Sequence, residues 1–310
     1  MRRVVGFIGR CLVTAGLLIL LFVAYQLWGT GIIEARAQSD LHTQFDRAQQ
    51  SRDRTTTTIP GPTTTGPGPT TTTAPPDPPP PEGGAVALIK IPRIGVSKWV
   101  VQGVSVPDLR KGPGHYPHTP LPGQLGNAAI AGHRTTYGAP FNRLDELADG
   151  DRIEVRTLFG TYRYAVTDKL VVQPTQVEVV APPKDPTVAE LTLTTCNPKY
   201  SAATRLVIKA RLDPTESPPP QAPPTTAPVA STALPVVDEL VNETGDVGAS
   251  GGSIALWGIL TLIVGGLWWL MFHRYSRWTT WIAGAIPFAV VLFYFYTYFE
   301  PVAGRLEAHL

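Results

Sequence analysis

The sequence predicts an all-β domain, a closed barrel of seven or eight short strands with short helices, carried on a chain with three transmembrane helices. Three observations lead there: alternating β-branched runs between Ala85 and Asp213, three uncharged stretches of about twenty residues, and Thr/Pro tracts. The chain has 310 residues, of which 32 are proline, so a good part of it cannot be core. What remains supports one compact domain of roughly 130 residues. A net charge of +2 is too weak to argue for nucleic acid, and no basic run interleaved with aromatics occurs. Two cysteines, one inside an apolar stretch, exclude a disulfide scaffold and a multi-cysteine zinc site.

The membrane frame comes from charge. Arg2, Arg3 and Arg10 in residues 1–10 precede an uncharged run over 11–33, long enough for a first span. The run also resembles a signal peptide cleaved near Ala35-Arg36-Ala37, but it is longer than a usual signal core, so a retained anchor is expected. Residues 253–272 and 278–299 are two further uncharged stretches, parted by a short loop over 273–277 that holds Arg274 and Arg277. The positive-inside bias puts both Arg clusters in the cytoplasm. One topology satisfies both: a multi-pass protein of the cell membrane, with residues 34–252 and the tail 300–310 outside the cell.

Two linkers are expected. From Thr55 to Pro81, 21 of 27 residues are Thr or Pro, so residues 34–84 read as a disordered tether with extended proline-rich backbone. Residues 214–252 form a second, looser one. Between them, residues 85–213 hold 16 Lys and Arg against 11 Asp and Glu, a mild excess that suits work beside anionic envelope polymers. Strands are expected at Ala87–Ile91, Lys98–Gln102, Ala128–Gly132, Arg152–Thr157, Thr161–Val172, Glu190–Thr195 and Leu206–Arg211. Leu158-Phe159-Gly160 is a hairpin turn, and Pro140 to Leu147 is the best short helix. Closure into a barrel removes free edges, which an exported sheet must avoid.

Cys196 is the sole cysteine outside the apolar stretches, and it closes the alternating run Leu191-Thr192-Leu193-Thr194-Thr195 just before Asn197-Pro198. A thiol there is presented at a strand end. An inert core cysteine is the bland reading, but unpaired cysteines are disfavoured outside the cell, so retention suggests use. His115, His118 and His133 are candidate proton acceptors. His133 ends the run Asn127-Ala128-Ala129-Ile130-Ala131-Gly132 and so leaves a strand as well. His115 and His118 lie in a Gly/Pro-rich loop and suit surface or substrate contact. Arg205, nine residues past the thiol, could return beside the sulfur to hold a developing oxyanion, although a solvated strand-edge charge is its bland reading.

These residues together resemble the sortases, cysteine transpeptidases of Gram-positive surfaces. The resemblance rests on Ile89-Lys90-Ile91-Pro92-Arg93-Ile94-Gly95-Val96 and Gly112-Pro113-Gly114-His115-Tyr116. It continues through Gly126 to Arg134, Leu191 to Cys196, and Arg205-Leu206-Val207, in the family's order. It implies an eight-stranded sortase-type barrel with His133, Cys196 and Arg205 as the catalytic group, and with His115, Tyr116, Thr195 and Asn197 beside the substrate. The Pro/Thr-rich linker, Thr-Thr-Cys-Asn-Pro and Tyr116 look most like class E, the housekeeping sortases of high-GC actinobacteria. The implied reaction cleaves the Thr–Gly bond of an L-[AP]-x-T-G-like sorting signal on a surface protein. The acyl group then passes to an amine of a lipid-linked peptidoglycan precursor. No metal or organic cofactor is needed for it, although some sortases hold a structural calcium.

Two rivals stand beside this reading. An L,D-transpeptidase would carry Ser-His-Gly-Cys with Arg two residues beyond, where this chain has Thr195 before Cys196 and Pro198 after it. A non-catalytic scaffold would leave Cys196, His133 and Arg205 unexplained. The carboxy-terminal pair of apolar stretches departs from a single-anchor plan. Val241-Asn242-Glu243-Thr244-Gly245 before it has the layout of a sorting signal but reads as an ordinary linker.

Overall fold

The structure is a computed structural model and describes residues 6, 16–57, 79–223, 251–272 and 285–297. The chain forms two compact units, Met1–Thr30 with Thr244–Leu310, and Gly31–Glu243.

The three expected transmembrane helices are corrected by the first unit: among the described residues, no helix is long and apolar enough to cross a membrane. Within the stretch 11–33, the helical run over 16–24 opens at Tyr25–Gly29 into a π turn. It then continues as α1 (Thr30–Thr57), whose sequence is mostly polar. α2 spans Gly251–Phe272. A further helical run is described over 285–297. Residues 1–5, 7–15, 273–284 and 298–310, on which the rest of that topology fell, lie outside the described residues. The first unit is held by aromatic packing, with Phe22 edge-on to Tyr296 at 5.1 Å, and by Tyr296 Oη donating to the Leu18 carbonyl at 2.7 Å.

The second unit contains the expected closed barrel. Its strands are β1 (Ala85–Ile91), β2 (Val96–Gln102), β3 (Gly114–His115), β4 (Gly126–Ala131), β5 (Arg152–Thr157), β6 (Gly160–Val172), β7 (Ala189–Asn197) and β8 (Thr204–Leu212). They close in the order β1-β2-β3-β4-β7-β8-β6-β5. The seven strands read from alternation are all present. The eighth, β3, is only two residues long, too short for any period to show. Thr157 pairs with Gly160 across the expected hairpin.

Period two sorts the side chains of these strands. On β4, β7 and β8, Ile130, Leu193 and Ile208 point into the barrel core. The alternate residues Ala129 and Ala131 join a second cluster on the other face with Tyr116, Val104 and Val180. β4 runs parallel to β7, with Ala131 opposite Thr194, and β7 runs antiparallel to β8, with Cys196 opposite Arg205.

The helix expected from Pro140 to Leu147 is instead a chain of turns with a 3-10 turn over Leu144–Glu146. Phe141, Leu144 and Leu147 all enter the core. Their spacing of three matches a three-residue turn and not the wider α period. Tyr137, Gly138 and Ala139 before them adopt positive φ, which no α-helix admits.

The segment 34–84 does not begin as a tether. α1 continues to Thr57, and residues 58–78 lie outside the described residues. One stripe of α1 docks on β2: Leu41 and Phe45 are buried against Trp99 and Val101. Gln38 donates to the carbonyls of Trp99 and Lys111, each at 2.9 Å, and accepts from Trp99 N–H at 2.7 Å. Glu34 pairs with Lys98 at 2.7 Å. At the other end, the 214–252 stretch first returns to the barrel: Arg163 donates to the Glu216 carbonyl, and Leu125 N–H donates to the Gln221 carbonyl at 2.8 Å.

Gln38→Ala strands Trp99 N–H and two carbonyls, and is expected to cost about 1–3 kcal/mol. Urea unfolding measures it, and a midpoint equal to the parent's would show that α1 is not held by this side chain.

Candidate active site

The site forms where β4 and β7 end side by side. Parallel strands finish at the same edge of a sheet, so the residues just past β4 meet the last residues of β7. The ladder is prolonged beyond Ala131 and Thr194, because Gly132 N–H donates to the Thr194 carbonyl at 3.0 Å and Thr195 Oγ1 donates to the Gly132 carbonyl at 2.7 Å. His133 follows at once, and Cys196 follows Thr195. Gly132 is required here, since a Cβ would lie 2.6 Å from the Phe141 ring.

Cys196 is half-buried on the outer face of β7, with Arg205 as its direct cross-strand partner on β8. Directly opposed residues have Cβ atoms about 5 Å apart. Arg205 Nη1 donates to the carbonyls of Ala202 at 2.9 Å and Thr204 at 3.3 Å, which turns the guanidinium back along the loop between the strands. The phenol of Tyr116 is held near this pair by the neighbouring strand residue Thr194. It bonds Thr194 Oγ1 at 3.0 Å and is pushed up to about 12, mainly by burial. The Thr194 bond and the Arg205 charge oppose that rise, and Cys196 adds to it, so both groups are within electrostatic reach of the phenol.

His133 is half-buried, and its Nε2 is enclosed with no hydrogen-bond partner. Tyr137 packs on the ring with centroids 5.2 Å apart. Burial, and then the charge of Arg110, push the imidazole down to about 4, so it is neutral at physiological pH. An unpaired, neutral ring nitrogen can accept a proton.

The other expected site residues divide. Tyr116 belongs to the group. Asn197 lies beside it, donating to Thr204 Oγ1 at 3.0 Å and accepting from Arg134 at 2.7 Å. Thr195 is buried and faces away from Cys196, its hydroxyl spent on Gly132. His115 is enclosed rather than exposed in a loop: Nδ1 is 2.9 Å from Gln102 Oε1 and Nε2 is 2.9 Å from the Pro120 carbonyl. Full burial holds it at about 4, partly offset by the Pro120 bond. His118 is exposed.

Reading the chain alone missed Arg134, Arg110 and Tyr137. Arg134 is buried, and its Nη1 donates to the Cys196 carbonyl at 3.2 Å as well as to Asn197. Its position next to His133 was the available signal. Arg110 lies over the Tyr137 ring at 5.6 Å, and no local pattern announces it. Above the second cluster, the 3-10 turn Val177–Val180 is anchored at the Val179 carbonyl by Lys209 Nζ and by Asn127 Nδ2 at 3.3 Å. Among the described residues, no group of three or more His, Cys, Asp or Glu could hold a metal ion.

The chain has relatives among known proteins. A family model described as "Sortase domain" matches residues 89–213. Sortase SrtE2 of Streptomyces coelicolor is 30% identical over 229 residues, covering 69% of this chain and 84% of that protein. Sortase SrtE1 of the same organism is 32% identical over 221 residues, covering 66% of this chain and 56% of that protein, so the match spans little more than half of its length. The solved structure of sortase E from Streptomyces avermitilis is 37% identical, covering 43% of this chain and 90% of that chain, with a TM-score of 0.39.

The His115 and His133 imidazoles titrate lower in the folded chain, about 4, than in the unfolded chain, about 6.5. Their contribution to stability is therefore complete above about pH 6.5 and is lost as pH falls towards 4. Urea midpoints should drop across that window, and His115→Gln should flatten the slope. A midpoint independent of pH from 7 to 4 would contradict the burial of these rings.

Proposed function

The chain belongs to the sortase family, and from that premise we propose that its barrel is a cysteine transpeptidase of the class E kind. The observation that carries this reading is the convergence at one sheet edge: Cys196 opposite Arg205, with His133 leaving the neighbouring strand one residue past its last bond to β7.

In the proposed reaction, the Cys196 thiol loses its proton to His133 and the sulfur attacks the carbonyl carbon of the scissile peptide bond. Negative charge gathers on the carbonyl oxygen, where the Arg205 guanidinium stabilises it. The carbon–nitrogen bond breaks, His133 returns the proton to the departing amine, and a thioester remains on Cys196. A second amine attacks the thioester, gives up a proton to His133 and leaves with the acyl group. The thiol is regenerated. Atoms and protons balance without a cofactor.

The substrate proposed is an L-[AP]-x-T-G-like sorting signal on a surface protein, cut between Thr and Gly. The acceptor proposed is an amine of a peptidoglycan precursor, which places the barrel outside the cytoplasm. Tyr116 supports a preference within the signal. Its ring is 1% exposed and fills the floor of the outer-face cluster with Ala129, Ala131 and Val180. That leaves room for a small residue before the variable position, and so favours Ala over Pro. The cationic guanidinium of Arg205 beside the thiol suits a backbone rich in carbonyls.

Cys196→Ala is expected to abolish cleavage of a Leu-Ala-x-Thr-Gly peptide, and full turnover by that variant would falsify the nucleophile assignment. Arg205→Lys should lose on the order of 10²-fold in kcat, because a point charge cannot match a planar fork. His133 must be neutral to accept the thiol proton, so kcat/KM should fall on the acid side through about pH 4 and not near 6.5. An acid limb near pH 6.5 would mean that this imidazole is solvated in the working enzyme.

A further inference from the structure

We propose that Arg134 is a positioning residue that ties the Cys196 main chain to the loop carrying His133, an inference that rests on the reaction proposed above. The observation behind it is where the β4–β7 ladder stops. Its last pair is Ala131 with Thr194, and the Gly132 bonds carry it half a step further. Both reactive groups lie beyond that point, on chain segments that no longer bond each other directly through β4.

Arg134 spans the gap. Nη1 donates to the Cys196 carbonyl at 3.2 Å and to Asn197 Oδ1 at 2.7 Å, while Nη2 meets Asp145 at 2.9 Å. The first contact holds the peptide plane that leaves Cys196, and with it the direction of the thiol. The Arg134 main chain is itself fixed: Asn142 Nδ2 donates to its carbonyl at 2.8 Å, and Phe141 N–H donates to the His133 carbonyl at 3.1 Å. One side chain therefore joins the backbones of the two groups that must exchange a proton. A displacement of about 1 Å between such groups costs on the order of a hundredfold in rate.

An alternative is that Arg134 merely stabilises the fold through its ion pair with Asp145. The burial is lopsided, however: Arg134 is 5% exposed and Asp145 is 46% exposed. A pair open to water at one end contributes little. The guanidinium as a whole is enclosed, and two of its acceptors belong to Cys196 and Asn197. The planar guanidinium meets Cys196 and Asn197 from Nη1 and Asp145 from Nη2, a spread that a single ammonium nitrogen does not reproduce.

The test uses the full chain and two readouts, alkylation of Cys196 by iodoacetamide at pH 7.5 and turnover of a Leu-Ala-x-Thr-Gly peptide, with a melting curve for each variant. Arg134→Ala is expected to lower the alkylation rate by about fivefold or more and kcat by about 10–100-fold, with KM within about threefold. Arg134→Lys should be intermediate on both. Asp145→Asn should react and turn over like the parent, since the contacts to Cys196 and Asn197 remain. The inference is overturned if folded Arg134→Ala matches the parent on both readouts, or if Asp145→Asn loses as much as Arg134→Ala does. Should Arg134→Ala not fold, Arg134→Lys decides: parental alkylation and kcat would sink the idea. If the parent chain cleaves no peptide, the functional reading fails, and alkylation alone still judges Arg134.

Discussion

The parallel pairing of β4 with β7 is the constraint from which the rest of the site follows. Two parallel strands must end at the same edge, so the residue after Gly132 and the residue after Thr195 are brought together whatever the loops do elsewhere. An antiparallel neighbour on the far side, β8, then returns Arg205 to face Cys196. The chain reaches this arrangement only through long crossovers, because 63 residues separate the two partners of the Thr195–Gly132 bond. The barrel supplies the rigidity that such distant contacts need, with its core filled by Ile130, Leu193, Ile208 and their neighbours.

Alternation gives the same strands a second role. Ala129, Ala131, Thr194, Cys196 and Arg205 point away from the core on β4, β7 and β8 and line the site, so the packing that stabilises the barrel also decides what lies around the thiol. Ala129 and Ala131 are small and leave space, which Tyr116 enters from β3 and its following turn. Burial then acts on chemistry. It removes charge from the His133 imidazole and keeps the Tyr116 phenol neutral, leaving guanidinium groups as the charged species around the thiol.

α1 extends this logic to the periphery. Its Glu34 carboxylate lies against Gly138, where a Cβ would come within 2.6 Å of it, and Gly138 has φ of +71°. Glycine meets both demands at that position. The next residue back, Tyr137, packs on His133, so the helix that docks on β2 also backs the turn beside the imidazole. Burial raises the Glu34 carboxyl above its ordinary range, against the opposing effect of Lys98, as expected of a carboxylate drawn out of water to meet a single cation.

Seven of the eight barrel strands, the presentation of Cys196 and His133 at strand ends, and the return of Arg205 were legible in the sequence, because period-two alternation and Gly/Pro punctuation are local signals. Local signals misled where composition stood in for packing. Uncharged runs suggested three spans that the described helices do not provide, and the polar segment after Glu34 hid a stripe of Gln38, Leu41 and Phe45 with a partner on β2. Only the packed fold reveals that His115 is an enclosed strut, that Thr195 faces away from the thiol, that Arg134 reaches the Cys196 carbonyl and that Arg110 lies over the Tyr137 ring. Each of these depends on which strand lies next to which and on what covers a side chain. Those are properties of contacts between residues tens of positions apart, and no spacing within one segment records them.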